Sequence, residues 1–187
     1  PQDYADALDD PDTIGTLVLE DRETINQQLW VASDGTISDL ADDIADDDVD
    51  ELESLADAIE NDAVTQSDTV AEGDQVIHQI EASGLSGALA AQDDDDVTNA
   101  LDQLLTNTAG DGVGNNDNAA SLRVRQTADT TTANQPRNNL ASDIVSSMTV
   151  LEDEETDNLY IIYDLDDTDA EDGEAYDARF RVQSTYL

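Results

Sequence analysis

Gln75-Val76-Ile77-His78-Gln79-Ile80-Glu81 and Asn158-Leu159-Tyr160-Ile161-Ile162-Tyr163 are the two runs on which the fold class turns. Both are short, rich in β-branched and aromatic side chains, and bounded by acidic or glycine-containing turn residues, the signature of strands rather than helices. Alternation in the first run places Val76, His78 and Ile80 on one face. Glu72-Gly73-Asp74 reads as the turn that precedes it.

Working outward, further strands are expected at 13–20, at Gln28–Ala32 before Ser33-Asp34-Gly35, at 121–127, 144–151, 157–164 and 175–186. Helical spacing governs two inserts. Ile37, Leu40, Ile44, Val49, Leu52, Leu55, Ala56 and Ile59 give a short helix and a longer one within 37–60, broken near Asp46-Asp47-Asp48. Val97, Leu101, Leu104 and Leu105 form the stripe of a helix at 94–106. The runs Asp46–Asp48 and Asp93–Asp96 sit at helix starts, where the macrodipole favours negative charge without any ligand. Residues 109–119 and 128–139 read as loops. The expectation is a mainly β fold with helical inserts, a β-sandwich of which the Ig-like arrangement is one form. It forms a single domain over residues 1–187.

Charge dominates the composition. Of 187 residues, 47 are Asp or Glu (35 Asp, 12 Glu) and 6 are Arg, with no Lys and no Cys, for a net charge of −41. Such a field repels phosphate and anionic lipid, which excludes nucleic-acid binding and direct contact with an anionic membrane. Absent cysteine excludes disulfides and thiolate metal sites, and absent lysine excludes lysine-dependent catalysis. High charge with few aromatics ordinarily means disorder, but the periodic apolar runs argue for a folded core. The remaining reading is adaptation to concentrated salt. The Debye length falls from about 10 Å at 0.1 M to about 3 Å at 1 M, so crowded carboxylates repel strongly in dilute buffer and little in brine.

No apolar run reaches the roughly 18 residues a membrane helix needs. The chain starts at Pro1 and ends in a strand-like stretch. A fragment or a processed product is therefore expected, which leaves room for a signal peptide and an anchor outside it.

Ile161-Ile162-Tyr163-Asp164-Leu165-Asp166-Asp167-Thr168 resembles the first motif of haloacid-dehalogenase-type phosphatases. That resemblance implies Asp164 as nucleophile, Asp166 as general acid and a magnesium-dependent reaction. The family's motif opens its fold and works with a basic residue, whereas here only 19 residues follow Thr168 and no Lys exists. An acidic hairpin loop closing two strands through Glu171-Asp172-Gly173 is the plainer expectation. The same loop offers oxygens from Asp164, Asp166, Asp167, Asp169 and Asp172 to a weakly held calcium or magnesium ion. An EF-hand would need Gly and Glu where Asp169 and Ala175 stand. The stretch Asp111–Asp117 offers a similar weak site. No other cofactor is expected. His78 stands alone, which excludes a His-based zinc site.

Four of the six arginines fall as Arg123/Arg125 and Arg179/Arg181, each pair on one face of an alternating strand, with Leu122/Val124 and Phe180/Val182 on the other. They would either pair across strands with carboxylates or form a cationic spot that docks an acidic neighbour.

Several phrases resemble haloarchaeal S-layer-type cell-surface glycoproteins. They are Ile14-Gly15-Thr16-Leu17-Val18-Leu19-Glu20-Asp21-Arg22, Leu29-Trp30-Val31-Ala32, the stretch Val70 to Gly87, Leu122-Arg123-Val124-Arg125-Gln126-Thr127, and Asp172 to Val182. The resemblance implies a secreted surface protein built from serial β-rich domains, with lateral assembly and divalent-cation dependence, and it supplies no catalytic residues. Its partners would be copies of itself or neighbouring surface domains. The expected role is non-enzymatic and structural. The alternatives are a filament or virion subunit assembling by strand addition and the Asp164 phosphatase. No Asn-x-Ser/Thr sequon occurs, so N-glycosylation of this segment is not expected; Thr130-Thr131-Thr132 could accept O-linked sugar.

Overall fold

The computed structural model describes residues 23–33, 51–92, 94, 96–106, 120–127, 137–153 and 156–182. At its centre, β3 (Gln75–Ala82) pairs antiparallel with β6 (Asn158–Asp164) over seven positions, from Gln75 opposite Asp164 to Glu81 opposite Asn158. On the other side of β3 lies β1 (Thr24–Ala32), which carries at its end the short β2 (Val64–Gln66); β5 (Thr149–Asp153) closes the far edge beside β6. The second sheet has two antiparallel strands, β4 (Ala120–Gln126) and β7 (Tyr176–Val182). The mainly β, two-sheet expectation is met.

Alternation sends the central strands into two cores. Val76 and Ile80 of β3, Leu159, Ile161 and Tyr163 of β6 and Val150 of β5 enter the larger one. There they meet Leu122 and Val124 of β4, Phe180 and Val182 of β7, and three helices: α2 (Ser86–Ala90), α3 (Val97–Thr106) and α4 (Ala141–Ser147). Ile77, Leu151 and Ile162 face the opposite way and are covered by α1 (Glu51–Glu60) through Leu55. The five-stranded sheet is therefore a middle layer, and a strand buried on both faces reads as a continuous apolar run. No helix among the described residues is long and apolar enough to cross a membrane.

Three expectations need correction. Residues 144–151 are not one strand. Leu140, Ile144 and Met148, all buried, follow helical spacing, so 141–147 forms α4, and the strand starts only at Thr149. The acidic stretch after β6 is not a hairpin loop, because β6 and β7 belong to different sheets and the loop crosses between them. Its turn at Glu171–Glu174 does exist, with Gly173 at φ 79°. Strand β1 begins at Thr24 rather than Gln28. The expected turn before β3 is present, with Asp74 N–H donating to Ala71 O (3.1 Å) and Gly73 at φ 82°, a left-handed conformation that suits glycine. The strand at 13–20, the first part of the 37–60 insert, the loop holding Asp111–Asp117, Thr130–Thr132 and residues 183–187 lie outside the described residues.

The acidic helix start is an N-cap. Asp96 Oδ1 accepts from the backbone N–H groups of Thr98 (2.8 Å) and Asn99 (3.2 Å), satisfying donors the helix itself leaves free. Asp96→Ala should cost about 1 kcal/mol, read as a lower denaturation midpoint at constant high salt, whereas Asp68→Ala, remote from any helix end, should leave it unchanged.

Candidate functional site

The outer face of the β4–β7 sheet is the place where cationic side chains converge. Leu122 opposite Phe180, and the buried Val124 and Val182, turn inward, so the register leaves Arg123, Arg125, Arg179 and Arg181 outward and exposed. Arg123 stands directly opposite Arg179, Arg125 opposite Asp177, and Arg181 opposite Ser121. Like charges directly across an antiparallel pair, with Cβ atoms about 4.5–5.5 Å apart, are destabilising. Among the described residues none of these four arginines makes an ion pair or a side-chain hydrogen bond. Of the two arrangements open to these arginines, cross-strand pairing with a carboxylate is not seen at the central Arg123–Arg179 pair among the described residues. Both edges of this sheet are tied down. On the β4 side, Leu140 N–H donates to Val124 O (2.8 Å) and Gln126 N–H to Asn138 O (2.9 Å).

On the β7 side the ties come from β1 side chains. Val182 N–H donates to Thr24 Oγ1 (3.3 Å), and Thr24 Oγ1–H donates to Phe180 O (3.3 Å). Phe180 N–H donates to Gln27 Oε1 (3.3 Å), which fixes that amide's orientation. Gln27 Nε2 then donates to His78 Nδ1 (3.3 Å), so the neutral ring carries its proton on Nε2 and donates it to the Tyr163 hydroxyl (3.0 Å). This chain of bonds runs from the second sheet through three strands of the first. His78 shares its face with Val76 and Ile80 as alternation demands, and it is buried with them. Gln27 and Thr24 were not signalled by the sequence, since nothing local marks which polar side chains will cap a distant strand.

The acidic loop is organised by backbone capping. Asp164 Oδ1 accepts from Asp166 N–H (3.0 Å), capping the 3₁₀ turn Leu165–Asp167, and Asp166 Oδ1 accepts from Gly73 N–H (3.1 Å). Asp169 N–H donates to Asp143 Oδ2 (3.2 Å), while Asp167 and Asp172 are exposed. Among the described residues no three Asp, Glu or His side chains converge in a way that would hold a metal ion. Asp164 ends an antiparallel strand, in contrast to the parallel sheet of the phosphatases its motif resembles.

Burial holds His78 well below the ordinary histidine value of 6.5, at about 4. The unfolded chain binds a proton below pH 6.5 that the folded chain refuses until about pH 4, so this residue's contribution is complete above 6.5 and lost as pH falls across that window. A fall from 6.5 to about 4 corresponds to about 3 kcal/mol. In constant high salt, wild type should lose that much more stability between pH 7 and pH 4 than His78→Gln, in which only the carboxylates titrate. Denaturant titrations with parallel pH slopes would contradict the assignment.

The chain is 32% identical over 166 residues to a cell surface glycoprotein of Haloferax gibbonsii, a span covering 89% of this chain and 16% of that protein. It is 33% and 34% identical over 169 residues to cell surface glycoproteins 2 and 1 of Haloarcula hispanica, covering 87% of this chain and 17% of each. It thus spans about a sixth of the length of the curated relatives it matches. No family profile matches the chain, and no solved structure does. All three names place those proteins at the cell surface, and over this span the chain belongs with the haloarchaeal cell-surface glycoproteins that its sequence phrases resemble.

Proposed function

We propose that this chain is a non-enzymatic structural domain of a haloarchaeal surface layer, working through protein–protein contacts in concentrated salt. The observation that carries the reading is the similarity to cell-surface glycoproteins along 87–89% of the chain. Two features support it. A charge of −41 suits a protein whose surface is permanently screened. The aspartates of the phosphatase-like motif cap backbone N–H groups at the junction of β6 with the turn before β3, which is a structural use of their oxygens.

Antibodies raised against the folded chain should label intact source cells without permeabilisation; labelling confined to lysed cells would remove the reading. Salt dependence is a separate check. Circular dichroism should show native signal at about 3 M salt and its loss on dialysis to about 0.1 M, where uncompensated carboxylates repel. Full retention at the lower concentration would contradict the screening argument.

A further inference from the structure

The exposed face of α1 mirrors the arginine face in charge and in extent. Leu52, Leu55 and Ile59 turn this helix towards the sheet, leaving Glu53, Asp57 and Glu60 exposed at spacings of four and three, along one outward stripe. The seven helical rises from Glu53 to Glu60 span about 10 Å. On the other side of the molecule the arginines run diagonally from Arg125 through the Arg123–Arg179 pair to Arg181, over four residue steps or about 13 Å. The two stripes lie on opposite sides of the five-stranded sheet, because α1 packs on one of its faces and the β4–β7 sheet on the core of the other.

In a chain with 47 carboxylates, Asp177 is the one acid at the register positions of this face, so the four arginines, with Arg123 set opposite Arg179, leave it with an excess of positive charge. We infer that the arginine face docks the Glu53–Asp57–Glu60 stripe of a second copy of this chain. This deepens the surface-layer reading and rests on it. Guanidinium groups suit the task in brine, since screening removes long-range attraction but leaves bidentate hydrogen bonds to carboxylates at contact. The same screening removes the repulsion between two chains of charge −41. Because donor and acceptor surfaces are different patches on opposite sides, the contact is heterologous and propagates as an open row instead of closing at a dimer.

The experiment is sedimentation equilibrium of the whole chain at about 3 M salt, where circular dichroism confirms folding, over a wide concentration range. Wild type should show average mass rising with concentration past that of a dimer. Arg123→Gln/Arg179→Gln should weaken association by about tenfold or more. A charge exchange removes ambiguity from misfolding. Arg123→Glu/Arg179→Glu and, separately, Glu53→Arg/Asp57→Arg/Glu60→Arg should each stay monomeric alone, and an equal mixture of the two should assemble. A wild type monomeric throughout, a glutamine variant that associates like wild type, or two folded charge variants that fail to assemble on mixing would overturn the proposal. Antibody labelling of intact cells is independent of all three results, so the surface reading survives or falls by itself.

Discussion

Everything else in the structure depends on the seven-position register between β3 and β6. Both strands are covered on both faces, so a slip of one residue would move Ile77 and Ile162 into the larger core and eject Val76, Ile80, Leu159 and Ile161 from it. That penalty makes the register unique, and uniqueness there sets the position of every other layer. It also explains how a chain with 38% apolar residues, below the typical 45–50%, still closes a core. The apolar residues are concentrated in short runs buried on two sides, and the remaining positions are left to aspartate.

The sequence was most informative where burial imposes a simple period. Strands β3, β4, β6 and β7 and helices α1 and α3 were legible because each has a face, or two, that must be apolar. The inward turn of Leu122, Val124, Phe180 and Val182 followed from the same alternation. Illegibility began where local and tertiary preferences disagree. Ile144, Val145 and Val150 look like strand residues, yet Leu140, Ile144 and Met148 place three side chains in the larger core only when 141–147 is helical. The crossing from β6 to β7 was misread as a hairpin because turn chemistry at Glu171–Glu174 says that the chain turns, not which strand it will join.

The arginines show the same boundary at the level of a site. Their outward direction could be read from one strand at a time. Their juxtaposition could not, since the pairing of Arg123 with Arg179 joins residues far apart in the sequence. Charge here is segregated as well as abundant: acids cap turns and helix starts or coat outer surfaces, and four of six bases gather on one two-stranded sheet. A field that is nearly uniform in sign makes the exception a landmark for any acidic partner, and brine shortens the distance over which that landmark is felt to little more than contact.

The bonds from Thr24 to Phe180 and Val182 have a mechanical meaning. They bring the start of β1 beside the end of β7, so chain entering at residue 24 and leaving at residue 182 does so from neighbouring points. Tension applied between those two points is borne first by a few side-chain bonds at this seam, not by the backbone ladder of β3 and β6. Behind the seam the load meets the larger core directly, because Phe180 and Val182 at the end of β7 are packed in it.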